Sequence, residues 1–373
     1  MDNKKEKIEY FIEYATIATI GDVVDLVGEN RIIAANGLRA LQATANVGLD
    51  KLMDMCGINR ERLSSYHIGF VIGPCLNATG RLESAKKGIE LLMCEDFFEA
   101  EKLASELIEL NGTRKAMTEE GVKEAIAMCE SMEDSKVLVV YLPKIHESIA
   151  GIIAGRVREH FNKPVFVVTN SADENEESLI KGSGRSIPGY NMFEALIECD
   201  EYLLKYGGHE MAAGLSLDRE MIEDFAKALN ENCKLTEDDY VRKVWIDVPM
   251  PLAYATEELI NQLSLLEPFG KGNEKPVFAT KNVKVKSLKV MGANQNMCKL
   301  SVVDDSGKAM DALVFSSIYP AFMEFLKDKF GEEQIRKAKM NIPNDIVLSI
   351  IYYPDINEYN GRRSVQIIVN NYC

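Results

Sequence analysis

The stretch Lys205-Tyr206-Gly207-Gly208-His209-Glu210-Met211-Ala212-Ala213-Gly214 constrains the fold of this chain most, because a glycine pair, a histidine and three small residues share ten positions. Adjacent glycines admit positive φ and allow close approach to the backbone, so the run reads as a tight turn with an unshielded histidine. The Ala-Ala-Gly that follows lets a helix or strand pack closely behind it. A bulky polar group is expected to meet that backbone; a turn whose histidine merely caps nearby carbonyls is the competing reading. Upstream lies a second such stretch, Lys181-Gly182-Ser183-Gly184-Arg185-Ser186-Ile187-Pro188-Gly189. Small residues around one arginine offer backbone N–H groups and a guanidinium suited to a phosphate or carboxylate. The alternative is a hairpin corner with a solvent arginine. No Gly-Lys-Ser/Thr closes the stretch and no dinucleotide fingerprint follows a strand, which argues against a nucleotide-cofactor fold.

At 373 residues, 46% of them hydrophobic, the chain is long enough for two or three domains with their own cores. Its eight cysteines are scattered without a Cys-x-x-Cys, which suggests neither a zinc cluster nor a redox pair and suits reduced thiols in a cytoplasmic protein. The charged N-terminus is followed by no apolar run of signal or membrane-spanning length, so no membrane partner is expected. A formal net charge of −15 argues at first sight against a nucleic-acid binder. Its distribution reverses that argument: between Lys271 and Lys299, seven lysines face only Glu274. Val283-Lys284-Val285-Lys286 alternates like a half-buried strand with its lysines on one face. That pattern fits a narrow track for one strand of nucleic acid, or a solvated edge strand guarded by lysines.

The expected fold class is α/β plus β, in four parts. Residues 1–80 read as an α-rich remnant of a larger domain, and residues 81–132 as a connecting helix without proline. Residues 133–235 read as an α/β domain with a central sheet: Val137 to Val140 and Pro164 to Val168 as strands, Ile149 to Phe161 and Met192 to Tyr206 as helices, and Asp173 to Ser178 as an acidic loop. Both glycine-rich stretches then fall at one rim of that sheet, where open α/β sheets bind ligands. Residues 241–373 are rich in short strands and turns, consistent with an OB-type β-barrel that binds single strands through a basic groove and stacked aromatics. Phe269, Phe278 and Tyr359 are candidate stacking residues, with core positions as the competing reading.

The two glycine-rich stretches, in this order, resemble the DHH-associated domain of the DHH phosphoesterases. Gly73-Pro74-Cys75-Leu76-Asn77-Ala78-Thr79-Gly80-Arg81-Leu82, Leu266 to Asn273 and Ile356 to Ser364 narrow the resemblance to the RecJ family of single-strand-specific DNA exonucleases, over about Ala18 to Asn370. The resemblance implies a DHH-domain remnant, a connecting helix, a DHH-associated domain and an OB barrel. It implies stepwise 5′-to-3′ hydrolysis of single-stranded DNA by metal-activated water, in repair and recombination. By matching positions, Asn77, Arg81, Ser183, Arg185, Gly207 and Lys271 would bind the 5′ phosphate or the strand. His209 and Gly208 would sit at the scissile or adjacent phosphate, and Asp22 would be a Mn2+ or Mg2+ ligand. The family's further aspartates and its Asp-His-His have no counterpart here, so the chain reads as a C-terminal portion that binds single-stranded DNA but is inactive alone. Single-strand-binding protein and recombination or repair factors are the implied protein partners. Another DHH phosphoesterase acting on oligonucleotides or cyclic dinucleotides, and a non-catalytic single-strand-binding module, remain the alternatives. Gly21 and Thr79 depart from the family pattern without removing a ligand or a charge.

Overall fold

The computed structural model describes residues 2–82, 84–172, 178–359 and 361–373. The acidic loop expected from Asp173 lies almost wholly outside them, as does the side chain of Tyr359. The chain divides into two compact units, Met1–Glu13 with Leu38–Lys243, and Tyr14–Gly37 with Val244–Cys373.

Helix α1 (Asp2–Gly21) is followed by α2 (Gly28–Gln42) and α3 (Val47–Met55). Asn46 caps α3 by accepting from Leu49 N, which starts that helix. A continuous helical run follows: α4 (Ser65–His67), a π turn (Ile68–Ile72) and α5 (Gly73–Leu82). The single helix expected over 81–132 is divided into α6 (Lys86–Met93) and the 33-residue α7 (Phe97–Cys129). The cause of the break is Asp96, whose carboxylate accepts from Phe98 N and Glu99 N at 3.0 and 2.8 Å and so starts a new helix.

The sheet of the first unit comprises β1 (Leu138–Tyr141), β2 (Val165–Asn170), β3 (Leu179–Arg185), β4 (Lys205–His209) and β5 (Ala212–Asp218), in the order β1-β2-β3-β5-β4. Only β1 and β2 are parallel, joined by α8 (Glu147–Phe161). Both faces are covered, which is why these two strands are near-continuous valine runs. Ile149, Ile153 and Val157 of α8, with Ala125 and Cys129 of α7, pack on one face. Met192 and Leu196 of α9 (Met192–Ile197) and Phe225 and Leu229 of α10 (Ile222–Asn232) pack on the other. Helix α9 stops well short of the expected Tyr206, because the chain must turn into β4.

The second unit is built around a closed barrel. Strands β7 (Phe278–Met291), β8 (Met297–Val303), β9 (Ala309–Val314), β11 (Arg362–Tyr372) and β10 (Val347–Tyr359) form a ring that closes by pairing β10 with β7. The two-residue β6 (Val248–Pro249) adds to β7, and helices α11 (Glu257–Leu263) and α12 (Tyr319–Lys339) pack outside. Lys284 is paired on both sides, with β10 and β8, whereas Lys286 and Lys289 pair with β8 alone, so the edge-guard reading stays open for those two. Lys281, Lys284, Lys286 and Lys289 are exposed, while Val283, Val285 and Leu288 are buried, the alternation expected of a half-buried strand.

Candidate nucleic-acid interface

The stretch expected to be a phosphate-type loop is in fact strand β3, paired with β2 and β5 along its length. Its glycines serve the core. A Cβ on Gly182 would come within 2.7 Å of Val168 Cγ1, and one on Gly184 within 2.4 Å of Met192 Sδ and 2.6 Å of Phe166 Cε1. Alternation along the strand then sends Ser183 and Arg185 to the opposite face, under α8. There Gly151 lets the helix pass close above them: a Cβ at that position would lie 2.8 Å from both Arg185 Nη2 and Ser183 Oγ.

Arg185 donates through Nη1 to Ser183 Oγ at 3.1 Å and to Gly184 O at 2.8 Å. Burial, and then the nearby charges of Arg81 and Arg158, lower its pKa. Arg81 belongs to α5 and is tied to the first turn of α8: its Nη1 donates to Ser148 O at 2.6 Å, and Ser148 Oγ donates back to Arg81 O at 2.9 Å. His146 completes the joint by accepting from Ser148 N as the cap of α8. Arg114 of α7 donates through Nε and Nη2 to Asn111 Oδ1, and its pKa is lowered by burial and then by Arg81. Four arginines from α5, α7, α8 and β3 thus share one neighbourhood. Among the described residues no carboxylate lies within ion-pair distance of Arg81, Arg114 or Arg185. Arg158 is paired with Glu159 at 3.7 Å, and the other three cations, close together, favour an anion between them.

Arg114 and Arg158 escaped the sequence reading, because single arginines on charged helices look like solvated residues. The spacing Gly151-x3-Gly155-x2-Arg158, one face of α8, was the available signal.

The Gly-Gly-His stretch is likewise a strand rather than a turn; the turn is Glu210-Met211, anchored by Met192 N to Glu210 O and Ser186 N to Met211 O, both at 3.0 Å. Register aligns Arg185 with Ala212 and His209, and Ser183 with Gly214 and Gly207. Residues paired in this way project to the same face. With neighbouring strands about 4.8 Å apart, the His209 backbone stands about 10 Å from that of Arg185. Between them the floor carries only Ala212, Gly214 and Gly207. A Cβ at Gly207 would meet nothing within 4 Å, so no packing demands glycine there and the backbone lies open. Gly208 faces the core side instead, with φ of +150° and Ala212 O only 2.4 Å from any added Cβ. His209 is exposed, and its Nδ1 accepts from Met211 N at 3.3 Å. Asn77 is exposed on α5, one turn before Arg81.

Asp22 and Lys271 belong to the second unit. Lys271 is paired with Asp25 at 2.9 Å, and its carbonyl accepts from Leu26 N. Arg31 donates to the carbonyls of Leu265, Leu266 and Glu267, fixing the turn that precedes Lys271. Asp22 is exposed. Among the described residues no three His, Cys, Asp or Glu side chains gather closely enough to hold a metal ion, so these residues do not by themselves fit a two-ion centre. Of the candidate stacking residues, Phe278 is buried in the barrel core against Tyr352 and Phe269 is half-buried. Among the described residues no helix is long and apolar enough to cross a membrane.

Residues 134–235 match the DHHA1 domain family and residues 246–371 the RecJ OB domain. The chain is 34% identical to the single-stranded-DNA-specific exonuclease RecJ of Bacillus subtilis, over 96% of its own length and 43% of that protein. It is 31% identical to the Escherichia coli protein of the same name, over 96% of this chain and 60% of the other. Crystal structures of Thermus thermophilus RecJ with Mg2+ and with Mn2+ superpose with TM-scores of 0.78 and 0.79 at 26% identity, covering 97% of this chain and 52% and 50% of theirs. The chain therefore spans about half the length of the relatives it matches.

Proposed function

Because this chain belongs to the RecJ family, with its own DHHA1 and RecJ OB domains, we propose that it holds the 5′ end of single-stranded DNA for a 5′-to-3′ exonuclease of repair and recombination. The observation that carries this reading is the trio Arg81, Arg114 and Arg185, with no carboxylate at ion-pair distance among the described residues, beside a bare glycine floor. A terminal phosphate seats against Arg81, Ser183 and Arg185, with Asn77 at its margin. Guanidinium to phosphate contacts are short and geometrically demanding, which suits recognition of an end. The strand then crosses Gly207 and Gly214, where its backbone can approach the sheet without side-chain obstruction. His209 closes the outer edge. Because its Nδ1 accepts from Met211 N, the neutral ring carries its proton on Nε2 and presents a donor to the next phosphate, where negative charge develops during hydrolysis. The barrel of the second unit carries exposed lysines on β7, which suit the phosphates of a single strand.

Divalent ions, Mg2+ or Mn2+ as in the Thermus thermophilus structures, would supply the activated water, and the described residues of this chain do not by themselves hold them. Asp22 is the one residue assigned to them by family match, and this chain's own part is to bind, orient and polarise the phosphates.

The test is a titration of 5′-phosphorylated single-stranded oligonucleotide against the chain, with Arg81→Ala and Arg185→Ala beside it and salt varied. Each substitution is expected to weaken binding by about tenfold or more, with duplex bound more weakly than single strand. Unchanged affinity in both variants would sink the reading.

A further inference from the structure

Two aromatic side chains stand in solvent on the same helical run that carries Asn77 and Arg81. Tyr66 is 61% exposed and Phe70 66% exposed, yet their rings are already stacked, with centroids 5.2 Å apart and planes 26° from parallel. The edge of His67 meets Tyr66 at 5.7 Å. Beneath them lies the π turn, in which Gly73 N donates to Ile68 O and the two inward side chains, Ile68 and Ile72, are fully buried. A Cβ on Gly73 would come within 2.8 Å of Ile68 O, so the wide turn depends on that glycine. Single π turns persist mostly at functional positions, since the longer hydrogen-bonded ring is otherwise less favourable.

Burial along the run has helical period. Ile68, Ile72, Cys75 and Thr79 face inward, while Phe70 and Asn77 are exposed and Arg81 is half-buried. One outward stripe therefore holds stacked rings at one end and the phosphate-pocket arginine at the other. Eleven residues separate Phe70 from Arg81, about 16 Å of helix. Stacked nucleotides advance about 3.4 Å each along a strand, so this distance corresponds to no more than about five nucleotides.

We propose that Tyr66 and Phe70 form a base-stacking platform for single-stranded DNA, receiving a base within the first five nucleotides behind the 5′ phosphate. The proposal rests on the reading of Arg81 and Arg185 as the phosphate pocket. Every base has a π face, so such a platform adds affinity without reading sequence, as an exonuclease needs. Ring pairs offset in this way also present a flat, preorganised apolar surface that loses little side-chain freedom on binding.

The experiment is fluorescence anisotropy with 5′-phosphorylated single-stranded 12-mers, intact or with one abasic nucleotide moved along positions 1 to 8, against wild type, Tyr66→Ala/Phe70→Ala and Phe70→Trp. Wild type is expected to lose about tenfold at one abasic position among the first five. The double variant should show the same loss on the intact strand and no further loss at that position, and Phe70→Trp should bind like wild type. Abasic and side-chain losses that add instead of overlapping, or a double variant that binds every strand like wild type, overturn the proposal. So does a change in oligomer size with unaltered DNA binding, which would assign the rings to self-association. Failure of the phosphate pocket has a different signature: equal affinity for 5′-phosphate and 5′-hydroxyl strands while the overlap at one abasic position persists.

Discussion

Replacing Gly151 by alanine separates stability from recognition at the arginine cluster. The new Cβ would stand 2.8 Å from Arg185 Nη2, 2.8 Å from Ser183 Oγ and 3.3 Å from Arg185 Cζ. Carbon and nitrogen atoms without a bond between them settle near 3.5 Å or beyond, so the guanidinium has to retreat by most of an ångström. The colliding atoms are the ends of mobile side chains, so the helix itself need not move. Alanine within a helix is about 1 kcal/mol better than glycine, and the fold should be as stable as wild type or slightly more so. Recognition suffers, because a charge-assisted contact of about 1.5–3 kcal/mol loses its geometry, which is roughly ten- to hundredfold in affinity. Gly155→Ala is the control: its Cβ would meet Arg185 Cγ at 4.0 Å, an ordinary contact. Thermal melting and anisotropy with a 5′-phosphorylated strand read both quantities. A Gly151→Ala variant that binds like wild type would refute the assignment of Arg185 to the phosphate.

Three further outcomes are expected. Gly184→Ala should behave in the opposite way, destabilising the first unit by about 1–3 kcal/mol in urea because its Cβ overpacks Met192 and Phe166; a neutral midpoint would contradict the packing account. Asp304 is penalised by burial, but its hydrogen bonds from Ser306 and from the backbone of Leu252, Ser306 and Lys308 outweigh that, so its folded pKa lies below the ordinary 3.8. A depressed carboxylate stabilises above its unfolded pKa and loses that contribution as pH falls through its folded pKa, so Asp304→Asn should cost about 1–2 kcal/mol at pH 7 and progressively less below about pH 4; an equal cost at pH 7 and pH 3 would contradict the ionised role. With Mn2+ or Mg2+ added, the polypeptide 1–373 should leave a labelled single strand intact, since among the described residues no three His, Cys, Asp or Glu side chains gather to hold a metal ion; sustained degradation by pure polypeptide would overturn that.

The sequence disclosed the fold where hydrophobic pattern carried it. Val137 to Val140, Ile149 to Phe161 and Pro164 to Val168 are buried runs whose character survives without knowledge of their neighbours, and Val283 to Lys286 shows its alternation directly. It misled where glycine answered to tertiary demands. Gly182 and Gly184 look like a loop because glycine disfavours strands, yet they are glycine so that Phe166, Val168 and Met192 can fill the space. Gly207 is the reverse case, open because nothing is packed over it. The arginine cluster was half legible: Arg81 and Arg185 stand in small-residue surroundings, whereas Arg114 and Arg158 join them only through the packing of α7 and α8 on the sheet. Tyr66 and Phe70 escaped notice because aromatic residues at i, i+4 spacing on a helix read as a core stripe, and only the structure shows both rings exposed.

Whether the proposed pocket of Arg81, Ser183 and Arg185 grips a 5′ phosphate is read from the ratio of dissociation constants for one single-stranded sequence bearing a 5′ phosphate or a 5′ hydroxyl. A preference of about tenfold or more for the phosphate is expected, abolished in Arg185→Ala. Equal affinity for the two ends in the wild-type chain would contradict it.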